Sequence, residues 1–254
     1  MEPVKGTKAE ADFLEEIAGQ GFEGMGPGDY AVPFLKIITN GCPECTKGKD
    51  GYIDGLEPGV FMNTLTKHIY GPEINLIALK YEPVWLAWAP NRGGLRGRYD
   101  PGSIEVTGNP YDGMKDKDGN TVSDTMVFYC LIEGHLEDGP IVFSLSASGL
   151  RHAKNWNSMI LLRKTKSGKR AAYFSAVWNL RLELNSNDQG VWYQIGNKKT
   201  TNVKWVRDIT LEELKEVIQP TRQLLIEGSS RVDYAQIEGH SPEQIAATAK
   251  AEDF

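Results

Sequence analysis

Thr125-Met126-Val127-Phe128-Tyr129-Cys130-Leu131-Ile132-Glu133 is an unbroken apolar run between two polar residues. Asp116-Lys-Asp-Gly-Asn precedes it and Leu136-Glu-Asp-Gly-Pro follows it, and both are turn-forming sequences. The run is far shorter than the roughly 20 apolar residues of a membrane span. It therefore reads as a β-strand between turns. The same pattern recurs on either side, at 60–65, 74–81, 83–89, 103–107, 140–146, 171–184, 190–195 and 201–206. Each run is bounded by Gly, Pro, Asn or Asp.

Two helices interrupt this β pattern. Ser148 stands where it caps a segment in which Leu150, Ala153, Trp156 or Asn157, and Ile160 recur at helical spacing. Thr210, with Glu213 three residues on, opens a second helix by a capping box. Pro220 ends or kinks that helix, and 224–226 continue it. The apolar face of 211–218 covers the body or pairs with a second copy, giving a homodimer.

The fold class expected is mainly β with inserted helices (α+β). Its organisation is an N-terminal lead-in at 1–29 (a short amphipathic helix at 11–18, then a Gly-rich stretch), a β body at 30–207, a helical segment at 208–227 and a flexible acidic tail at 228–254. A β-barrel of the oligonucleotide-binding type (OB-fold) has this make-up, with a plain β-sandwich as the alternative.

Charge is distributed unevenly. The net charge of the 254 residues is −6, yet residues 31–207 hold 22 basic and 17 acidic side chains. The stretch 139–182 contains Arg151, Lys154, Arg163, Lys164, Lys166, Lys169, Arg170 and Arg181 and no Asp or Glu. Trp156, Tyr173, Phe174 and Trp178 lie within it. A second cluster groups Trp85, Trp88, Arg92, Arg96, Arg98 and Tyr99 around a Gly-rich loop expected to be flexible. A third groups Trp192, Tyr193, Lys198, Lys199, Lys204, Trp205 and Arg207. Cations track phosphates, and aromatic rings stack on bases without regard to sequence. The contacts expected are Trp88, Arg92, Arg96, Arg98, Tyr99, Arg151, Lys154, Trp156, Arg163, Lys164, Lys166, Lys169, Arg170, Tyr173, Lys198 and Lys199. Trp178 and Trp85 read as core rings.

Enzyme chemistry finds no motif. Asp116-Lys-Asp-Gly-Asn lacks the distal Glu of a calcium loop and reads as a hairpin turn. The four histidines have no nucleophile motif nearby. Cys42 and Cys45 form a C-x-x-C pair that reads as a turn or reducible thiol pair in preference to half of a structural zinc site with His68. No cofactor is expected. Three cysteines and no signal-peptide pattern suit a cytoplasm.

Val32-Pro-Phe-Leu-Lys-Ile-Ile, Glu57-Pro-Gly-Val-Phe-Met-Asn, Ala176-Val-Trp-Asn-Leu and Gly190-Val-Trp-Tyr, with the terminal Glu252-Asp253-Phe254, resemble the single-stranded-DNA-binding proteins of tailed phages. The resemblance implies an OB-fold and sequence-independent binding of single-stranded DNA in replication, recombination or repair, in the host cytoplasm. It also implies a tail whose tip, Glu252, Asp253 and Phe254, recruits a polymerase or helicase. The alternative is a non-enzymatic protein–protein interaction or inhibitor module, or a virion accessory protein, with the aromatic patches as its interface.

Overall fold

The computed structural model describes Gln20 and residues 32–89, 94–110, 113–188, 190–197, 199–228 and 234. The chain divides into two units, Met1–Ala31 and Val32–Phe254. The second unit is mainly β. Its strands β1 (Leu35–Ile38), β2 (Val60–Asn63) and β3 (Ile69–Gly71) form a small antiparallel sheet. The main sheet, curled like half a barrel, is built on β4 (Glu73–Trp88) and joins β5 (Leu95–Tyr99), β6 (Val106–Asn109), β7 (Gly113–Asp116), β8 (Thr121–Ile132) and β9 (Ile141–Ser146). It is completed, after helix α1 (Gly149–Leu162), by β10 (Ala176–Asn187), β11 (Gly190–Ile195) and β12 (Val203–Asp208). A last helical segment, α2, comprises Leu211–Glu213, a wide turn at Leu214–Ile218, and Gln219–Gly228.

The apolar run of β8 is continuous because both faces of the strand are covered. Met126, Phe128, Cys130 and Ile132 point to one side, where they pack with Ala153, Trp156 and Ile160 of α1. Val127, Tyr129 and Leu131 point to the other, where they pack with Ile218 and Leu225 of α2 and with Tyr234. Alternate residues of a strand face opposite ways, so a strand buried on both sides needs no polar alternation. The apolar face of α2 thus covers the sheet, while Leu211 at its start stays exposed. The Thr210 hydroxyl accepts from the Glu213 amide, and the Glu213 carboxylate accepts from the Thr210 amide, the capping box expected.

The expected run 103–107 is a strand only from Val106 and the run 171–184 only from Ala176, and three further features differ. The runs 74–81 and 83–89 are one strand, β4. Pro83 is tolerated because β10 pairs with Glu73–Ile77 and β5 with Trp85–Trp88, so the missing N–H falls where, among the described strands, β4 is paired on its β8 side alone. A bulge between Ala78 and Lys80 resets the alternation and keeps Tyr81 on the α1 side against Phe128. The second difference concerns Arg96 and Arg98, which are not in a loop. They lie on β5, paired with β4. Finally, Ser148 begins α1 without a side-chain cap.

The turn reading of Asp116 holds. Its carboxylate accepts from the Asp118 and Asn120 amides at 3.0 and 2.9 Å and from Asn120 Nδ2 at 2.8 Å. Burial opposes its ionisation, yet these bonds and that from the Tyr99 hydroxyl win and hold the carboxyl below its ordinary value.

Candidate nucleic-acid interface

Helix α1 inserts one face into the sheet and turns the other outward. Ala153, Trp156 and Ile160 are buried, whereas Arg151, Lys154, Ser158 and Leu161, at the complementary spacing, are exposed. From Arg151 to Leu161, ten helical steps, the stripe is roughly 15 Å long. At its C-terminal end Arg163 leaves the helix in an extended conformation and starts a tight hairpin. Lys164 bridges to Arg170, the Thr165 amide donates to the Lys169 carbonyl at 2.7 Å, and the Gly168 amide donates to the Thr165 carbonyl at 2.9 Å. Gly168 takes φ +81°, the left-handed conformation the turn requires.

This local geometry sets Lys164, Lys166, Lys169 and Arg170 around one exposed loop. Among the described residues none of these four cations has an acidic side-chain partner. Arg163 is the anchored member. It donates to Ser175 Oγ at 2.9 Å and pairs with Asp208. Lys154 faces Asp124, whose carboxyl burial pushes up while Lys154 and the Trp85 indole draw it back.

The other end of the stripe is tied to the loop after β11. Thr201 Oγ1 accepts from Asn155 Nδ2 at 2.7 Å and lies 3.3 Å from His152 Nδ1. Thr201 Oγ1 thus bridges Asn155 and the His152 ring and ties both to the loop. Gly196, at φ +83°, makes the loop possible, since a Cβ there would lie 2.3 Å from the Thr200 carbonyl oxygen. The loop carries Lys199, exposed, to the His152 end of α1.

His152 is buried, and burial followed by the nearby Arg151 charge lowers its pKa to about 4. The unfolded chain, with an ordinary histidine, binds the proton more tightly. The stabilisation is therefore complete above about pH 6.5 and is lost as pH falls toward 4, to a total of about 3 kcal/mol. Urea midpoints measured from pH 7 to 4 are expected to drop in wild type and to drop less in His152→Asn. Parallel curves would refute the assignment.

The remaining residues expected at the interface are placed differently. Trp156 is wholly buried, stacked on Phe128 with centroids 4.6 Å apart. Trp88 is buried too, its indole N–H donating to Ser123 at 2.9 Å. Neither presents a face to a base, which corrects the expectation for both rings. The sequence shows an aromatic in a helix or strand but not the side it turns to. Tyr99 and Tyr173 are half-buried and donate to Asp116 at 3.3 Å and Asn157 at 2.8 Å. Arg98 lies opposite Leu86, a core residue of the α2 side, so it faces away from α1. It pairs with Glu82, and its guanidinium sits 5.2 Å from the Tyr234 ring centroid. Arg96 is exposed on the same strand. The cations thus form one strip along α1 and its hairpin, with Arg96 and Arg98 apart from it. Arg92, Lys198, Glu252, Asp253 and Phe254 lie outside the described residues.

Sequence reasoning left Trp205 off its contact set, although the residue is 54 % exposed. The sequence groups it with the third cluster's cations but does not show its exposure, which comes from the place of β12 at the sheet's edge among the described strands. The Cys42 and Cys45 thiols lie against backbone. Cys45 Sγ donates to the Thr39 carbonyl at 3.2 Å, and Cys42 Sγ accepts from the Thr39 amide at 3.3 Å. Among the described residues no group of three or more His, Cys, Asp or Glu gathers as metal ligands, and no helix is long and apolar enough to cross a membrane.

No curated protein and no solved structure is significantly similar to the chain. A protein-family model does match, over residues 4–216, which include both sheets, α1 and the cationic hairpin. The chain therefore belongs to the Pam3 phage gp34-like protein family, and is a phage protein of that kind.

Proposed function

We propose that this protein binds single-stranded DNA without sequence preference, in phage DNA replication, recombination or repair. The observation that carries the reading is the strip of Arg151, Lys154, Arg163, Lys164, Lys166, Lys169 and Arg170 along α1 and its hairpin, a stretch of chain without Asp or Glu. A polyanion neutralises such a strip, and the counterions it releases drive binding. The curled sheet is in this reading a barrel of the oligonucleotide-binding type, and the protein acts by binding, with no reaction of its own and no cofactor. The terminal Glu252-Asp253-Phe254 then serves to recruit partners such as a polymerase or helicase.

The test is titration of the full chain with fluorescent oligo-dT at several salt concentrations. Five to seven phosphate contacts give a slope of log K against log salt of about −4 to −5. Absence of binding at about 50 mM salt, where this attraction is strong, refutes the proposal.

A second reading rests on Leu161 and Leu162, 53 % and 74 % exposed at the end of α1. Two adjacent exposed leucines suit a protein partner. A partner that stays bound after nuclease treatment, together with no affinity for oligo-dT, would select this interaction or virion accessory role instead.

A further inference from the structure

Trp205 sits on β12, which among the described strands pairs with β10 alone. It lies directly opposite Trp178, whose ring is in the core on the α1 side, so Trp205 projects from that same side at the sheet's edge. The Arg163 guanidinium lies 5.8 Å from the Trp205 ring centroid, within reach of a cation–π contact. Arg163 is fixed by Ser175, just before β10, and by Asp208 at the end of β12. Two further bonds brace the same corner. The Ile209 amide donates to the Ser175 carbonyl at 3.0 Å, and the Ala171 amide donates to the Arg163 carbonyl at 3.0 Å. Ring, guanidinium and hairpin base are therefore held in place before any ligand arrives, and the free cations begin one residue later, at Lys164.

Resting on the single-strand binding proposed for this protein, we infer that Trp205 makes this site selective for unpaired bases, with Arg163 as the positioning residue that holds its ring. The hairpin cations attract phosphates of any strand, single or double. A duplex keeps its base faces stacked inside and exposes one only at the cost of unstacking. A single strand offers a base face to Trp205 freely while its phosphates lie along the hairpin. The electrostatic and stacking parts of recognition are thus carried by different residues placed side by side.

The experiment compares wild type, Trp205→Ala, Trp205→Phe and Arg163→Lys for equilibrium binding to oligo-dT and to a duplex of equal length. Trp205→Ala is expected to weaken oligo-dT binding roughly 5- to 150-fold, the worth of one stacked base. Its duplex affinity and its salt slope should match wild type. Trp205→Phe should retain most of the single-strand affinity. Arg163→Lys keeps the charge but loses the planar group, so the single-strand to duplex ratio should fall with the salt slope unchanged. If wild type binds oligo-dT and Trp205→Ala binds it equally well, the inference is overturned while the binding function stands. If wild type binds neither strand form, the function itself has failed.

Discussion

Trp156→Ala is expected to lower the unfolding free energy by about 3 kcal/mol, at the low end of the cost of emptying a buried Trp site. The ring is fully enclosed and parallel-stacked on Phe128, at an interplanar angle of 23°. It is the largest wholly buried side chain of the core and the main wedge of α1 between Phe128 and the neighbouring strands. The effect lies at the low end because, among the described residues, the indole N–H has no hydrogen-bond partner, so truncation also removes a buried unsatisfied donor. Urea denaturation measures the change. A loss below about 1 kcal/mol would mean that α1 is held by something other than this ring. Oligonucleotide affinity, measured where the variant is still folded, should change little, since Trp156 touches no solvent.

The opposite pattern is expected when Lys164, Lys166, Lys169 and Arg170 are all replaced by alanine. Four single-strand phosphate contacts at a slope of about 0.7 each amount, between 1 M and 0.1 M salt, to a factor of roughly 10²–10³ in affinity. The salt slope itself should flatten by about 3. Stability should stay within about 0.5 kcal/mol, because all four side chains are exposed and, among the described residues, without acidic partners. Arg96→Ala, on β5, is the control and should leave affinity near wild type. Equal losses in the two variants would mean that nucleic acid follows a path other than α1 and its hairpin.

What could be read from the sequence was what is local. The hairpin cations lie within seven consecutive residues, so their shared loop is set by chain connectivity, as is the capping box at Thr210 and Glu213. Strand β11 has the bounds expected, because Gly190 and Gly196 punctuate it. Apart from the missing Ser148 cap, the failures are matters of long-range pairing and packing. Pro83 looked like a break because the sequence does not say that one edge of β4 has no partner there among the described strands. Arg96 and Arg98 looked like a loop because their partner strand, not their composition, makes them a strand. Trp156 and Trp205 are both tryptophans among cations, and only packing separates the buried ring from the exposed one.

The pairing of β4 has a temporal consequence. Its neighbour β8 follows within a few dozen residues, but its partner on the other edge, β10, is made about a hundred residues later, with Ile77 opposite Val177. At the usual pace of synthesis, about 5–20 residues per second, that edge waits roughly 5–20 s on the ribosome. Ile74, Leu76 and Ile77, an apolar edge with open backbone groups, are then a template for pairing with another nascent chain. High-level expression should therefore yield aggregates seeded from chains stopped before Ala176, and slower initiation, which spaces the nascent chains apart, should reduce them.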